Sequence, residues 1–446
     1  MDNVRLWQWV LIIISSLVLF FLSPLAKNTN QFFKARQKKK MPSAFLLMGS
    51  LVISWIFAKS ITNAANLGLE FGLVGGVAYA AYYLSFAIAG IIIYKMRTQG
   101  GFNSIHEFIT SRFGKGAVAV FSILIIIRLF NEVWSNTMVI GSYFGDEGTR
   151  SYYTAIMVFT FLTLAYALKG GLSSSIFTDA IQMGLFALLL IIILWNVFGA
   201  QTEFDTTTVL QSGTWSFEMG LNLMLAALLQ SFSYPFHDPV LTDRGFISSP
   251  KVTLKSFLWA AVVGALCIIL FSIIGIYAQS KGMQGQAAVE VGKSFSIVVL
   301  LAINLIMITS AASTLDSTFS SFSKLASIDL QLGNSLKFGR LSMIAIAILG
   351  TVPVFLNAEI LSATTISGTM VIGLTPIFMF WKKEPPILSF HLSVFCGILF
   401  GILLVFEWFP HQLVFTQGKY ADLLWVNFWG ILCCFILYLS PLWIRK

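Results

Sequence analysis

Residues 296–324 of the chain read SIVVLLAINLIMITSAASTLDSTFSSFSK. The first half of this stretch is an unbroken apolar run of the kind that crosses the hydrocarbon core of a bilayer. The second half carries Asp316 and, at about 100° per residue, a row of hydroxyls on one helical face. Those hydroxyls belong to Ser310, Ser313, Thr314, Ser317 and Ser321. The pattern predicts a membrane-spanning helix over 291–325 with a polar stripe along one side.

Similar apolar runs recur along the whole chain of 446 residues, which is 57% hydrophobic and only 11% charged. Soluble domains contain about 25% charged residues, so a water-soluble fold could not bury this much apolar surface. We expect an all-α membrane protein with a single membrane domain over 1–446, embedded in a lipid bilayer. About thirteen transmembrane spans are predicted: 6–25, 43–67, 70–95, 115–144, 152–168, 173–199, 216–236, 253–279, 291–325, 338–356, 358–381, 386–408 and 421–443.

Several other classes of protein are not expected. The four cysteines lie in apolar runs without CxxC spacing and the four histidines are scattered, so no structural metal is predicted. The formal charge of +9 is typical of basic cytoplasmic loops and does not indicate nucleic-acid binding. No phosphate-binding loop motif is present, so energy should come from an ion gradient. Because no histidine lies near the serine-rich stretch, an enzyme is not expected either, and no obligate protein partner is evident.

The basic residues predict an orientation. A cluster of them follows the first span: Lys27, Lys34, Arg36, Lys38, Lys39 and Lys40. If this cluster is cytoplasmic, alternation of the spans places basic residues inside rather than outside in a ratio of about four to one, as the positive-inside rule requires. We therefore expect a multi-pass protein of the plasma (inner) membrane, with its N-terminus outside and its C-terminus in the cytoplasm.

The spans also predict two inverted blocks of five helices, over 43–199 and 216–381. An extra N-terminal helix (6–25) and two peripheral helices (386–443) complete the chain. The first helix of each block is interrupted by polar residues or proline, at 59–63 and at 231–239. Broken helices in matching positions of inverted repeats point to a binding site near the membrane midplane.

Two intramembrane carboxylates accompany the hydroxyl stripe. Oxygen ligands suit a small dehydrated cation, and an Asp such as Asp316 is costly in a membrane unless it is paired or functional. The alternative is a helix–helix seam, in which Ser and Thr allow close approach and bond across helices. Asp179 lies a turn or more past the start of its helix, so a functional role is favoured over helix capping.

Lys59 is the most unusual single residue because an ammonium at mid-bilayer must be paired, deprotonated or facing water. A substrate carboxylate, Asp316 and Asp179 are its candidate partners. Arg128 and Glu132 are four residues apart on one predicted helix and could neutralise each other as a helical pair.

These motifs resemble the sodium:solute symporters, the family of sodium/proline, sodium/sugar, sodium/sialic acid and choline carriers. The resemblance covers roughly residues 43–380 and depends on GGFNSIHEFITSRFG (100–114), on GGL (170–172) with Thr178, Asp179 and Gln182, and on STLDS (313–317) followed by SID (327–329). It implies a LeuT-like fold with a five-plus-five inverted repeat and peripheral helices.

The resemblance also implies site residues. One co-transported sodium would be held by the hydroxyls of Ser313 and Thr314 and by a carbonyl at Ser310. Two further carbonyls would come from the broken second span, at Ile53 and Ile56. A second sodium or a proton would use Asp179, Asp316 and Ser317. The substrate would meet residues beside the two breaks, with Tyr234 at the position of the family's aromatic gate: Lys59, Ser60, Ser231 and Tyr234.

The departures from the family concern the solute. Where sugar carriers have polar or charged sugar ligands, this chain has Lys59, a stretch without a carboxylate from Ala78 to Tyr83, and Gly264. We therefore expect sodium-coupled symport of a small organic solute, anionic or zwitterionic rather than a sugar, by alternating access. The alternatives are a proton-coupled carrier that uses Lys59 or Asp316, and a non-transporting sensory membrane domain, for which no output module follows the last span.

Overall fold

A computed structural model describes residues 2–35, 41–199, 204–356 and 368–444, and no β-strand occurs within those ranges. The helices in chain order are α1 (Asp2–Leu22), α2 (Thr29–Lys34), α3 (Ala44–Trp55), α4 (Ala58–Phe71), α5 (Leu73–Ala80), α6 (Leu84–Gln99), α7 (Ile105–Ser142), α8 (Arg150–Gly170), α9 (Leu172–Gly199), α10 (Thr206–Gln211), α11 (Leu221–Gln230), α12 (Pro239–Arg244), α13 (Pro250–Ser280), α14 (Ala287–Ser294), α15 (Ile297–Lys324), α16 (Leu336–Thr351), α17 (Leu374–Met379), α18 (Ile387–Val405) and α19 (Ala421–Ile444). Single-turn 3₁₀ helices and a π-helical turn (Leu325–Asp329) connect some of them.

The number of spans differs from the prediction. Within the described residues, ten helices are long and apolar enough to cross a membrane, or eleven if the bent pair α3 and α4 counts as one span. The seventh predicted span, 216–236, forms only the ten-residue helix α11 followed by short irregular turns. The eleventh predicted span, 358–381, lies partly outside the described residues, as does part of the basic cluster after the first span. The count of thirteen is therefore not confirmed, although the chain is all-helical and multi-span.

Both predicted helix interruptions are present, and the first is displaced. α3 and α4 meet at a bend of 66°. The bend lies at Ile56 and Phe57, which have non-helical backbone angles, and Lys59 falls in the first turn of α4 instead of in the break. The polar residues 59–63 continue as helix, and the Ser60 and Ile61 amides donate to the carbonyl of the N-cap residue Phe57 at 2.9 and 3.1 Å. The second interruption runs from Ser231 to Asp238, where Pro235 and Pro239 cannot donate ladder hydrogen bonds.

The chain divides into two compact units, each assembled from distant segments. The first unit comprises Met1–Val77, Glu132–Thr214 and Val263–Ala358. The second unit comprises Ala78–Asn131, Trp215–Val262 and Glu359–Lys446. In the first unit α15 packs against α3, α8, α9 and α16, so that it is surrounded by protein over most of its length. In the second unit α19 packs against α11, α17 and α18.

Glycines allow a very close approach between α4 and α13 in the first unit. A Cβ atom added to Gly275 would lie 1.8 Å from the carbonyl oxygen of Ala65, and one added to Gly68 would lie 2.1 Å from the carbonyl oxygen of Ser272. Contacts of this kind are typical of membrane helices, where small residues let backbones pack together. The half-helix that follows the first break is therefore held against α13 by backbone contact.

The N-terminal segment is bonded to the turn between α8 and α9 in the same unit. The Ala26 amide donates to the Lys169 carbonyl at 3.0 Å, and the Ser173 hydroxyl donates to the Gln31 carbonyl at 2.6 Å. Gly171 makes this turn possible, since its φ is 57° and an added Cβ atom would lie 2.6 Å from the Phe32 carbonyl oxygen. A residue before α2 and a residue within it are thus bonded to a turn far along the chain.

Candidate ion and solute sites

Three helices of the first unit, α3, α9 and α15, enclose a buried carboxylate. The Oδ1 atom of Asp179 accepts a hydrogen bond from Ser313 at 2.5 Å. Its Oδ2 atom accepts from Ser50 at 2.5 Å and from Ser54 at 3.2 Å. Asp179 and Ser313 have no exposed surface. Hydroxyls and a carboxylate directed to one point in the protein interior form an oxygen-rich centre, the ligand type that hard cations prefer.

The second predicted carboxylate belongs to the same network. Asp316 accepts from Thr178 at 3.0 Å and from Ser317 at 3.3 Å. The Ser317 hydroxyl is also 3.0 Å from that of Ser54 and 2.9 Å from that of Ser175. The structure thus brings together Asp179, Asp316 and Ser317, the residues predicted for a second sodium or a proton, and links them through shared hydroxyls.

The residues predicted for the first sodium are all buried in this unit. On α15 the Thr314 hydroxyl donates to the Ser310 carbonyl at 3.0 Å, while the Ser310 hydroxyl has no hydrogen-bond partner among the described residues. Ile53 lies in the last turn of α3 and Ile56 is its C-cap. Carbonyls at a helix end lack intrahelical partners, so the bend supplies acceptors on the helix against which α15 packs. Ser313 contributes to both predicted ion sites.

Sequence reasoning missed the hydroxyls that α3 contributes. Ser50 and Ser54 are four residues apart in an apolar run, so they share a helical face, and that spacing was the available signal. Ser175 and Thr178 stood in the quoted α9 motif without an assigned role. The alternative of a helix–helix seam also describes these contacts correctly, because the same hydroxyls bond across helices and surround the carboxylates.

Lys59 has a partner that the sequence analysis did not consider. Its ammonium is 3.1 Å from the Glu132 carboxylate and 3.1 Å from the Ser135 hydroxyl, and it lies over the Phe57 ring. Glu132 was expected to pair with Arg128 along the same helix. Instead it reaches the first turn of α4, and the ion pair is confined to the first unit.

Arg128 likewise has a partner on another helix, in the second unit. Its guanidinium is 3.2 Å from Asp238 and lies over the Tyr234 ring at 5.1 Å. Asp238 is the N-cap of α12, and its other oxygen accepts from the Val240 amide at 3.0 Å. Each helix break is therefore followed by a half-helix whose first residues form a buried ion pair with α7.

The predicted substrate residues are divided between the units. Lys59 and Ser60 lie in the first turn of α4, in the first unit. Ser231 and Tyr234 lie in the second unit, where the Ser231 hydroxyl donates to the Ala227 carbonyl at 2.8 Å and the Tyr234 carbonyl is 2.6 Å from Nδ1 of His237. Within the described residues, no group of three or more His, Cys, Asp or Glu side chains forms a metal site.

The sequence is related to known sodium cotransporters over part of its length. It is 26% identical over 183 residues to sodium/myo-inositol cotransporter 2 of Mus musculus, a match that covers 38% of this chain and 27% of that protein. It is 23% identical over 185 residues to sodium/glucose cotransporter 1 of Oryctolagus cuniculus, with the same coverage. The chain therefore spans only about a quarter of the length of these curated relatives. No family model matches it.

Solved structures of transporters share the fold over nearly the whole chain. A Na⁺-coupled sialic acid symporter in a substrate-bound, outward-open state has a TM-score of 0.70 at 15% identity and covers 98% of both chains. Mhp1, a nucleobase-cation-symport-1 family transporter, has a TM-score of 0.57 in its closed conformation, at 12% identity and 95% coverage of both chains. These likenesses and the cotransporter relatives confirm the resemblance to sodium:solute symporters and the predicted all-helical, LeuT-like fold class. The relatives are transporters, not enzymes.

Proposed function

We propose that this protein is a secondary active transporter that couples the movement of sodium to symport of a small organic solute by alternating access. The observation that carries the proposal is the buried oxygen centre around Asp179, formed by hydroxyls of α3 and α15 beside the bend between α3 and α4. The sodium cotransporters related in sequence support the same assignment. Sodium bound at this centre would favour one conformation, and the solute would favour the same one, so that each increases the affinity for the other.

The first proposed sodium site uses the carbonyls of Ile53, Ile56 and Ser310 with the hydroxyls of Ser313 and Thr314. A second sodium, or a proton, would occupy Asp179, Asp316 and Ser317. Support for both sites comes from the burial of all these residues and from the hydroxyl of Ser313, which bonds Asp179 at 2.5 Å. We place the chain in the plasma (inner) membrane, with its N-terminus outside and its C-terminus in the cytoplasm, as the basic residues predict.

The candidate solute contacts are kept as the sequence predicts them: Ser60 after the first helix break, in the first unit, and Ser231 and Tyr234 at the second break, in the second unit. An anionic or zwitterionic solute was expected because of Lys59. In the structure the Lys59 charge is balanced by Glu132, so a carboxylate that bound the ammonium would have to displace Glu132. A zwitterion, which brings no net charge into the membrane interior, fits this balance better than an anion.

Sodium binding is tested by thermal unfolding of the purified protein in detergent, in sodium against potassium at equal ionic strength. A ligand present at 100 times its Kd stabilises the native state by about 2.7 kcal/mol. We expect sodium-specific stabilisation in the wild type and its loss in a Ser313→Ala, Thr314→Ala double variant. Ser323→Ala is the matched control, because Ser323 is a buried hydroxyl of the same helix that bonds the Gly339 carbonyl at 2.7 Å, outside the network. Equal unfolding temperatures of the wild type in the two salts would contradict the proposal.

Proton coupling is the second candidate, and the link between Asp316 and Asp179 through Ser317 favours it. A proton on either carboxylate of this buried network would take the place of the positive charge of a bound sodium. If sodium is the coupling ion, we expect Asp316→Asn to weaken sodium stabilisation without abolishing it, because the first proposed site does not include Asp316. If protons are the coupling ion, the wild type shows no sodium effect, and Asp316→Asn abolishes the pH dependence of stability.

Binding of sodium without solute flux in proteoliposomes would instead indicate a sensory membrane domain.

A further inference from the structure

The Lys59–Glu132 ion pair lies beside the proposed sodium site and has no role in the mechanism described so far. Lys59 is the second residue of α4, and Glu132 projects from the middle of α7. The two side chains are only 10% and 3% exposed, and their charged atoms are 3.1 Å apart. Both residues belong to the first unit, as do α3 and α15.

The beginning of α4 is an unfavourable place for a lysine. The first amides of a helix have no intrahelical acceptor, and the N-terminus carries the positive end of the helix dipole. Phe57, the N-cap residue, provides no side-chain acceptor. Lys59 therefore adds a positive charge where one is already present, and Glu132 is the carboxylate that compensates both. Removing one member of such a buried pair leaves an uncompensated charge.

Glu132 is itself held in place. Its Oε2 atom accepts a hydrogen bond from the side-chain amide of Asn136 at 3.0 Å. The same side-chain nitrogen also donates to the Glu132 backbone carbonyl at 2.9 Å. The Ser135 hydroxyl, 3.1 Å from the Lys59 ammonium, adds a second contact from α7. A solute carboxylate could take Lys59 only by leaving the Glu132 carboxylate buried without its cation, so Lys59 is poorly suited to be a solute ligand.

The ion pair instead fixes the backbone at the bend. Ile56 precedes Lys59 by three residues and has φ −82° and ψ 73°, so the direction of its carbonyl depends on where α4 begins. We infer that Glu132 is a positioning residue for the sodium site: through Lys59 it fixes the start of α4 and hence the carbonyls of the bend, and it neutralises an ammonium that would repel sodium. This inference rests on the proposed sodium-coupled function.

The test measures the sodium concentration that gives half-maximal thermal stabilisation in detergent. We expect Glu132→Gln to raise this concentration about tenfold, because the ammonium is then unpaired. Glu132→Asp keeps the charge but shortens the side chain, so it should also raise the half-maximal sodium concentration, by a smaller factor. A Lys59→Met, Glu132→Gln double variant contains no lone charge but also lacks the ion pair at the start of α4, so it should recover only part of the loss and remain about threefold above the wild type. Glu290→Gln, which removes the exposed Glu290–Lys293 pair in the same unit, is the control and should change nothing.

Each outcome separates this inference from the proposed function. No sodium response in the wild type would reject sodium coupling itself. A normal wild-type response that Glu132→Gln and Glu132→Asp leave unchanged would reject only the positioning role. A double variant as weak as Glu132→Gln would overturn the neutralisation of the Lys59 ammonium, and a double variant equal to the wild type would overturn the positioning of the bend by the ion pair. Should Glu132→Gln fail to fold, the comparison of Glu132→Asp with the double variant decides the question.

Discussion

Asp179→Asn should abolish sodium-dependent stabilisation and sodium-dependent uptake. The substitution keeps the size of the side chain and one of the two oxygen acceptors that Ser50 and Ser313 use, but it removes the negative charge at the centre of the network. At an effective dielectric constant of 20, a charge pair 4 Å apart is worth about 4 kcal/mol. Even half of that interaction corresponds to a loss of sodium affinity of more than about tenfold. The measurement is sodium titration of the unfolding temperature, and then of uptake once a solute is known.

A matched control for this charge removal is Asp205→Asn. Asp205 is an exposed N-cap in the same unit, where it accepts from the Thr208 amide at 2.8 Å, and asparagine caps helices equally well. The control should respond to sodium as the wild type does. An Asp179→Asn variant with normal sodium dependence would show that the ion binds without this carboxylate, and the proposed second site would then have to be abandoned.

Gly275→Leu should prevent assembly of the first unit. Any side chain at this position begins with a Cβ atom 1.8 Å from the Ala65 carbonyl oxygen, so α4 and α13 would have to separate. A backbone atom cannot swing aside as a flexible side chain can, and we expect a loss of at least about 3 kcal/mol in stability. Fluorescence-detected size-exclusion chromatography in detergent should show aggregate in place of a symmetrical peak.

Gly184→Leu is the control for that effect. Gly184 also lies within a membrane helix, α9, but no atom lies within 4 Å of the position of an added Cβ. It should elute as the wild type does. If the two leucine variants behave alike, helix propensity or insertion would be the cause, and the close approach of α4 and α13 would not limit stability.

The fold class follows from the sequence because the membrane imposes a simple rule. Every span must satisfy its own backbone hydrogen bonds, so apolar runs of sufficient length become helices. The rule fails where protein replaces lipid as the neighbour. Span 216–236 was expected to cross the membrane with an interruption at 231–239, yet its helical part, α11, has only ten residues and ends at Gln230, where Pro235 and the residues around it form the break. The first break was assigned to 59–63, since hydropathy cannot distinguish a polar helix turn from a loop.

The oxygen-bearing side chains of the candidate site could be predicted from the sequence, whereas the ion-pair partners of Lys59 and Arg128 could not. Asp179, Ser313, Asp316 and Ser317 were selected because carboxylates and hydroxyls are rare inside membranes, and the structure places them in one network. The partner of Lys59 could not be deduced, because spacing along α7 shows that Arg128 and Glu132 share a face but not which neighbouring helix approaches each of them. Tertiary packing determines which helix approaches each residue, and this packing cannot be deduced from a single sequence.

The bonds between the N-terminal segment and the turn after α8 have a consequence for biosynthesis. Ser23 contacts Ser174 at 2.7 Å and the Phe20 carbonyl accepts from Lys169 at 2.7 Å, so both partners are synthesised after well over a hundred further residues. At about 5–20 residues per second, α1 must wait on the order of 10 s in the bilayer before its docking site exists. During that interval the face of α1 that later packs against α8 stays uncovered in the bilayer, and slowed translation of α2 to α8 would lengthen that exposure.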